Sequence, residues 1–284
     1  MARMTIGLLH PGEMGSVLGM LLSRRGERVL WTSAGRSAAT RSRAAAAGLE
    51  DVGTLRDLVQ RSEVILSICP PHAAVEVARQ VAAERFAGIY ADLNAVSPDT
   101  ARAIGRVVEE AHARFIDGGI VGPPPATPGT TRLYLTGPEA DQLASLFRDS
   151  AMEPIVLDGP IGAASALKVA YAAYTKGTAA LLLAIRALAI REGVDAALRQ
   201  EWARSQPELA NRSDKALGGS VRKAWRFVGE MEENAATFAA AGLPDGFSAA
   251  AAEVYRRLNG YKDATALPPV AEIAAALVKE KQGN

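Results

Sequence analysis

The 284-residue sequence contains a single cysteine, Cys69. An intramolecular disulfide framework and a cysteine-rich metal site are therefore both excluded. The three histidines, His10, His72 and His112, are scattered and lack the spacing of metal ligands. We expect a cytoplasmic protein without a metal site, in which Cys69 fills space on a buried strand.

The sequence also lacks an excess of charge of one sign and a long hydrophobic run. It has 32 Lys and Arg residues against 31 Asp and Glu residues, which gives a formal net charge of +1. Nucleic acid and a membrane are therefore not expected partners. The apolar run Thr178–Ile185 lies between Lys176 and Arg186 and is much shorter than the roughly 18 residues of a membrane helix. We interpret it as a buried helix of a soluble protein that acts on a small molecule.

What the sequence does contain is an alternation of short apolar runs with helical patterns. Such alternation predicts a largely parallel, doubly wound sheet. From about residue 162 no strand pattern appears, and 163–191 predicts one long helix. The fold class is therefore α/β, with a Rossmann-like doubly wound parallel sheet followed by an all-α C-terminal domain linked by a long helix. We place the domains at 1–160 and 161–284. Further helices are expected at 195–206, 213–240, 247–259 and 268–280.

The turn after the first predicted strand matches the dinucleotide fingerprint G-x-G-x-x-G only if His10 replaces its first glycine. Gly12 allows a pyrophosphate to approach the backbone, and Gly15 allows the helix to pack on the strand. His10 either contacts the cofactor or simply tolerates the backbone of a tight turn. The cofactor-binding candidates at this turn are His10, Pro11, Gly12, Glu13 and Met14.

The second predicted strand bears on the choice between NAD(H) and NADP(H). An NAD site has Asp or Glu at the end of this strand, where it binds the ribose 2′-hydroxyl. Here no acid stands nearby, and the segment contains Ser33 and Arg36, with Arg41 and Arg43 beyond. Ser33 and Arg36 are suited to a 2′-phosphate, so NADP(H) is the expected cofactor. Arg43 is more simply a solvated charge on a helix.

Five motifs, taken in order, resemble the β-hydroxyacid dehydrogenases, which are related to 6-phosphogluconate dehydrogenase and the imine reductases. They are HPGEMG (10–15), VILSICPP (64–71), DLNAVSP (92–98), FIDGGIVGPP (115–124) and GAASALKVAY (162–171). The resemblance implies an enzyme that transfers hydride between a nicotinamide and a small hydroxy acid or carbonyl compound. It also implies a homodimer.

The resemblance covers roughly residues 4–190. The helical remainder, especially AWRFVGEMEENAATF (224–238), resembles a less characterised C-terminal module of a subgroup of the family. We expect the active site between the two domains.

By resemblance, Lys168 corresponds to the family's catalytic lysine. A partly desolvated lysine beside a nicotinamide can exchange a proton with the reacting oxygen. The family usually has Asn one turn further along this helix, where this sequence has Ala172. Tyr171 or Thr175 would then take the place of that Asn. Lys176, two turns beyond Lys168, is interpreted as a surface charge.

The resemblance also suggests residues near the nicotinamide and the substrate. Asn94 would hold the nicotinamide or its ribose, or alternatively only cap the next helix. Val121 replaces the serine of the family's substrate loop, which weakens the case for an ordinary 3-hydroxy acid. Glu230 and Glu233 would reach the substrate from the helical domain, or form a solvated acidic face. The remaining candidates are Cys69 and Pro70 for the cofactor, and Gly118, Gly119 and Gly122 for the substrate.

Three functions remain open at this point. The first is an NADP(H)-dependent dehydrogenase or reductase that uses Lys168 as general acid and base. The second is an NADPH-dependent imine reductase, favoured by the departures at Ala95, Val121 and Ala172. The third is an NADP-binding sensor or scaffold without turnover.

Overall fold

A computed structural model describes residues 3–262 and 264–278 of the chain. The chain divides into two compact units, residues 1–169 and 170–284. The boundary between the units falls within the long helix, a few residues beyond the boundary expected at residue 160.

The first unit is built on one sheet of eight strands in the order β3-β2-β1-β4-β5-β6-β7-β8. All neighbouring strands are parallel except β6 and β7, which are antiparallel. The predicted doubly wound α/β fold is thereby confirmed. The strands are β1 (Thr5–Leu9), β2 (Arg28–Trp31), β3 (Glu50–Asp51), β4 (Val64–Ser67), β5 (Ile89–Asp92), β6 (Arg114–Val121), β7 (Thr131–Thr136) and β8 (Met152–Val156).

Helices connect these strands and cover both faces of the sheet. Ile6 and Leu8 of β1 belong to one core cluster, and Leu9 belongs to the other, because successive side chains of a strand point to opposite faces. Burial on both faces explains why the central strands are almost continuously apolar. The helices are α1 (Glu13–Arg24), α2 (Ala38–Ala46), α3 (Leu55–Arg61), α4 (Ala74–Ala83), α5 (Pro98–Glu110), α6 (Ala140–Ser145) and the start of α7 (Ala163–Arg191).

Strand β3 was not predicted from the sequence. It consists only of Glu50 and Asp51, which pair with Leu30 and Trp31 at the edge of the sheet. Both acidic side chains are exposed, so the segment carries no apolar alternation by which a strand is recognised. The pairing has a consequence for the cofactor site, because it brings Asp51 beside the end of β2.

The described residues of the second unit form helices joined by turns and loops, and no strand. The predicted single helix over 213–240 is wrong: α9 ends at Ser220, a 3₁₀ turn follows, and α10 begins at Ala224. Gly218 and Gly219 precede the break, and glycine is a weak helix former. The helices after α7 are α8 (Asp195–Ser205), α9 (Leu209–Ser220), α10 (Ala224–Ala240), α11 (Gly246–Arg257) and α12 (Val270–Leu277).

Helix α7 has the bounds that the sequence predicts. Among the described residues it is the one helix long and apolar enough to cross a membrane, with a mean hydropathy of 1.3 over its best 18-residue window. Core helices pass the same test, so the finding is weak evidence for a span. The expectation that 178–185 is a buried helix is only half right. Ala180, Leu182 and Leu183 are buried, whereas Leu181 is 58% exposed.

Candidate functional site

The glycine turn lies at the switch point of the sheet, where β1 has β2 on one side and β4 on the other. Ligands of doubly wound folds bind beyond the carboxyl ends of the strands at this point. His10 adopts a φ of 65°, a left-handed conformation that glycine would adopt at little cost. The departure from G-x-G-x-x-G therefore preserves the shape of the turn.

The two remaining glycines of the turn have different local surroundings. A Cβ added at Gly15 would lie 2.8 Å from the carbonyl oxygen of His10, so this position requires the absence of a side chain. A Cβ at Gly12 would meet only that same oxygen, at 3.9 Å. Open space above Gly12, at the N-cap of α1, fits the approach of a pyrophosphate to the backbone amides.

His10 is partly buried, and its Nδ1 atom has no hydrogen-bond partner among the described residues. Burial, with a further contribution from the positive charge of Arg36, lowers the pKa of His10 to about 4. The imidazole is therefore neutral at physiological pH. It adds no charge to the turn, but its unpartnered nitrogen fits a hydrogen bond to a ligand.

A cavity of about 180 Å³ opens beside this turn. Arg36 lies in its wall, and the Nε atom of Arg36 is buried without a hydrogen-bond partner among the described residues. Burial also lowers the pKa of this guanidinium. An orphaned guanidinium nitrogen beside an open glycine turn fits an anionic dinucleotide. The other lining residues are Leu9, His10, Thr32, Ala34, Leu55, Val77 and Gln80.

The expectation that no acidic residue lies near Ser33 is wrong. The backbone N–H of Ser33 donates to Asp51 Oδ1 at 3.1 Å, and the N–H of Gly53 donates to the same oxygen at 2.9 Å. Hydrogen bonding from the Ser33 side chain holds the pKa of Asp51 below its ordinary value. A carboxylate therefore lies beside one of the two residues expected to bind a 2′-phosphate.

Asn94 lies at the carboxyl end of β5 and is 3% exposed. Its Oδ1 accepts a hydrogen bond from the backbone N–H of Cys69 at 2.5 Å, and its Nδ2 donates to Asp92 Oδ2 at 2.7 Å and to Ser67 Oγ at 3.2 Å. It does not cap the next helix, because Ser97 accepts the cap hydrogen bond of α5. Asn94 thus ties the ends of β4 and β5 together.

The prediction that Cys69 lies on a buried strand is wrong, because β4 ends at Ser67 and Cys69 lies partly buried in the segment that follows, next to Pro70. Burial and the nearby Asp92 raise the pKa of the Cys69 thiol to about 12. The thiol is therefore protonated at neutral pH, which agrees with a space-filling side chain. Contact of Cys69 or Pro70 with a cofactor stays a prediction.

Lys168 lies on the first turns of α7 and faces β6. Its Nζ atom donates to the carbonyl oxygen of Ile120 at 2.5 Å. Close contact of the helix and the strand depends on Gly119, since a Cβ there would lie 2.7 Å from the Ala164 carbonyl oxygen and 3.1 Å from Lys168 Cβ. The predicted catalytic lysine is thus held against the predicted substrate loop.

The candidate substrate residues mostly belong to β6 itself. Gly118 and Gly119 pair with Leu135 and Tyr134 of β7, and Val121 is 2% exposed. Gly122 has a φ of 126°, and a Cβ there would lie 2.4 Å from the carbonyl oxygen of Thr130. Each glycine therefore serves close packing, and contact of these residues with substrate stays a prediction.

Asp117 was not a candidate, although it is the most extensively bonded carboxylate of this region. It is 1% exposed on β6 and accepts hydrogen bonds from Thr136, Gly162 and Ser165. The sequence gives no local signal of these contacts, because they depend on the packing of the start of α7 against β6.

In the helical unit, the interpretation of Lys176 as a surface charge is wrong. Its side chain is 17% exposed, forms an ion pair with Glu230, and lies 4.6 Å from the centre of the Phe227 ring. Glu230 is correspondingly 13% exposed, so it is not part of a solvated acidic face. The helix places Glu233 one turn further on, where its carbonyl oxygen accepts a hydrogen bond from Thr237.

Tyr171 and Thr175, the two candidates for the missing Asn, lie on the second unit's part of α7. Tyr171 is 46% exposed, and Thr175 Oγ1 donates to the carbonyl oxygen of Tyr171 at 3.0 Å. The Thr175 hydroxyl is therefore engaged with its own helix. Among the described residues no cluster of three or more His, Cys, Asp and Glu side chains is placed to hold a metal ion.

Two family models match the chain. The model described as the NAD binding domain of 6-phosphogluconate dehydrogenase matches residues 5–151. A domain of unknown function matches residues 189–258. An uncharacterised 28.5 kDa protein of Methanothermus fervidus, from the 7S RNA 5′ region, is 31% identical over 192 residues, which are 67% of this chain and 73% of the relative.

Solved structures share the fold over almost the whole chain. A 3-hydroxyisobutyrate dehydrogenase of Mycobacterium tuberculosis with L-serine is 18% identical, with a TM-score of 0.71 and coverage of 97% of this chain and 99% of the other. A reductive aminase of Aspergillus terreus with NADPH and ethyl levulinate is 17% identical, with a TM-score of 0.58 and coverage of 96% and 99%. The matched segment contains the whole glycine turn and strands β1 to β7, and the chain belongs to the family defined by the NAD binding domain of 6-phosphogluconate dehydrogenase.

Proposed function

We propose that the protein is an NADP(H)-dependent oxidoreductase of the β-hydroxyacid dehydrogenase type. The substrate would be a small hydroxy acid or the corresponding carbonyl compound, and the bound nicotinamide would supply or accept the hydride. The observation that carries the proposal is the placement of Lys168 Nζ against the Ile120 carbonyl oxygen, within the unit that contains the glycine turn.

Lys168 is the proposed general acid and base. An ammonium group donates a proton to a developing alkoxide in reduction, and the neutral amine accepts a hydroxyl proton in oxidation. The Ile120 carbonyl orients the amine, since it accepts one of the hydrogens of Nζ.

The cofactor would be held by the turn and the neighbouring cavity. The open approach at Gly12 and the N-terminus of α1 suit the pyrophosphate, and Arg36 suits the 2′-phosphate. Asp51 opposes a phosphate electrostatically, so the NADP(H) preference depends on Arg36 outweighing it.

The proposal is tested with a panel of 3-hydroxy acids, 3-keto acids and cyclic imines, with NADPH absorbance as the readout. Lys168→Ala is expected to lower turnover of an accepted carbonyl substrate by about 10²–10⁴-fold, the usual contribution of a general acid. Lys215→Ala, at an exposed lysine of α9, is the matched control and should leave turnover unchanged. Wild-type turnover in the Lys168→Ala variant would reject the assigned role.

An imine reductase is the second candidate. The favouring observation is that Val121 and Ala172 are both buried apolar side chains where the family usually has Ser and Asn. A site without these hydrogen-bonding groups is less suited to a hydroxy acid. Preference for cyclic imines over keto acids in the same panel would select it. Binding of NADPH without turnover of any class would instead support a sensor or scaffold.

We further propose that the protein is a cytoplasmic homodimer. Tyr171, Tyr174, Leu181 and Leu188 on α7 are 46–63% exposed and recur at intervals of three, seven and seven residues. This spacing gives one apolar stripe along the helix, which we call the α7 stripe. An exposed stripe of this kind is best buried against the same stripe of a second copy, because a two-fold interface is self-complementary.

A further inference from the structure

Asp117 is a buried carboxylate whose hydrogen bonds come from three residues in two other segments of the chain. Its Oδ2 atom accepts from Thr136 Oγ1 at 3.1 Å and from the backbone N–H groups of Gly162 at 3.0 Å and Ser165 at 3.1 Å. Its Oδ1 atom accepts from Ser165 Oγ at 2.6 Å. Three of these four hydrogen bonds come from the beginning of α7.

These contacts satisfy donors that a helix cannot satisfy itself. The first N–H groups of an α-helix have no partner within the helix, and a carboxylate also interacts favourably with its N-terminal dipole. Here the capping group is the side chain of Asp117 on β6. It therefore fixes the position of α7 against β6, in addition to capping the helix. The 1% exposure of Asp117 makes these hydrogen bonds stronger than at the surface.

Lys168 lies one turn beyond Ser165 on the same helix. Asp117 and Gly119 share one face of β6, because they are two residues apart on a strand. Asp117 fixes the helix end, the missing side chain of Gly119 allows close contact, and the Ile120 carbonyl receives Lys168 Nζ. All three residues lie on β6, and all three contact the first turns of α7.

We infer that Asp117 is the positioning residue for Lys168, acting through the hydrogen bonds that hold the start of α7. This inference rests on the proposed role of Lys168 as the general acid and base. Asp117 contacts no reacting atom in this scheme. It determines the position of Lys168 Nζ, and therefore the fraction of molecules in which this amine is placed for proton transfer.

Three variants separate positioning by hydrogen bonds from an effect of charge. Asp117→Ala removes all the acceptors. Asp117→Asn keeps the acceptor at Oδ2 as its amide oxygen, and its amide nitrogen can donate to Ser165 Oγ in place of the reverse hydrogen bond. Thr54→Ala removes an N-cap elsewhere in the same unit, at the start of α3, and is the matched control for loss of a cap.

The readout is the rate of acetylation of Lys168 by acetic anhydride, measured by mass spectrometry of the full-length protein. The exposed Lys215 serves as the internal reference. This measurement requires neither cofactor nor substrate. It is therefore independent of whether the proposed reaction takes place, which the turnover assay decides separately.

We expect Asp117→Ala to raise the relative acetylation rate of Lys168 about fivefold, which corresponds to about 1 kcal/mol and to the loss of one hydrogen bond. Asp117→Asn should stay within about twofold of wild type, and Thr54→Ala should have no effect on Lys168. With an accepted substrate, Asp117→Ala should lower kcat and leave KM nearly unchanged.

An unchanged Lys168 rate in folded Asp117→Ala would overturn the inference, as would an equal rise in Thr54→Ala. If Asp117→Ala does not yield folded protein, Ser165→Ala replaces it. That variant loses only the hydrogen bond at 2.6 Å and keeps both backbone contacts. A wild-type Lys168 rate in Ser165→Ala would then reject the inference.

Discussion

At the scale of single residues, Arg36 and Asp51 bring opposite charges to the predicted 2′-phosphate site. Arg36→Ala should weaken NADPH binding by about 10–100-fold, because a hydrogen bond to a charged group contributes roughly 1.5–3 kcal/mol. NADH binding should change little, since NADH lacks the phosphate. Fluorescence titration with the two reduced cofactors measures both constants.

A substitution at Asp51 is expected to have the opposite effect on NADPH affinity. Asp51→Asn keeps an acceptor for the N–H of Ser33 but removes the negative charge, so NADPH should bind a few-fold tighter at low salt. Arg106→Ala, on the exposed side of α5, is the control for a general loss of positive charge. Equal or tighter binding of NADH than of NADPH by the wild-type protein would contradict the cofactor assignment.

His10 gives a prediction about pH. Its folded pKa of about 4 lies below its ordinary value of 6.5, so the unfolded chain binds more protons between these two values. Stability is therefore lost as pH falls from about 6.5 towards 4. The loss between pH 7 and pH 5 should be about 1–2 kcal/mol.

The substitution His10→Asn tests this pH effect. Asn tolerates the left-handed backbone at φ 65° and does not titrate, so this variant should lose the His10 contribution to the pH dependence. Urea unfolding at pH 5 and pH 7 measures the difference. An equal pH dependence in wild type and variant would show that His10 is not the group responsible.

Sequence reasoning identified some of these residues and missed others, for a physical reason. The glycine turn and Lys168 lie in local patterns, so their neighbours in sequence are also their neighbours in space. Asp51 contacts Ser33 across 18 residues, and Asp117 contacts Ser165 across 48. Both contacts depend on strand order and register, which no local pattern encodes.

At the scale of elements, α7 shows what a sequence pattern predicts well, and the pair α9–α10 shows what it misses. Helix α7 is a long Ala- and Leu-rich segment with a clear beginning and end, and its bounds were predicted correctly. The break between α9 and α10 was missed because Val221 and Ala224 continue an apolar pattern through it. Both residues are fully buried, so packing rather than helical periodicity explains why they are apolar.

Arg186 joins three helices of the second unit. Its guanidinium is 3% exposed and contacts Asp195 of α8 at 2.5 Å and Asp214 of α9 at 3.0 Å. Arg186→Ala should lower the free energy of unfolding by about 3 kcal/mol, since removing one partner of a buried ion pair costs about 3–5 kcal/mol and the two carboxylates here remain partly solvated.

Chemical denaturation measures this loss. The control is Arg199→Ala, because Arg199 contacts the same Asp214 carboxylate but has a 42% exposed side chain. It should cost less than about 1 kcal/mol. A similar loss in both variants would show that burial of Arg186 is not what makes its contacts stabilising.

At the scale of the whole molecule, the α7 stripe predicts the oligomeric state. The wild-type protein should have twice the chain mass of 29.8 kDa in light scattering after gel filtration. Leu181→Glu places a charge in the centre of the stripe and should shift the protein to the monomer, because an unpaired charge is costly in an interface. Glu201→Lys, a charge change on the exposed side of α8, is the control. A monomeric wild-type protein would contradict the dimer.

The fold class was predicted in full, and the first compact unit extends beyond the domain boundary expected at residue 160. The alternation of strands and helices stops near residue 160, and sequence reasoning placed the boundary there. The compact unit extends to residue 169, because the beginning of α7 packs against β6. A tertiary contact of this kind assigns a helical segment to the α/β unit, although its sequence pattern belongs with the helices that follow.

The hydrogen bonds of Asp117 bear on where the chain can be truncated without loss of contacts within the first unit. A fragment ending at residue 160 would keep the carboxylate and Thr136 but lose Gly162 and Ser165, and with them three of the four donors. During synthesis, the same three donors are missing until the beginning of α7 has left the ribosome. The dinucleotide-binding unit is therefore complete, during synthesis or in a designed truncation, only when the residues around Lys168 are included.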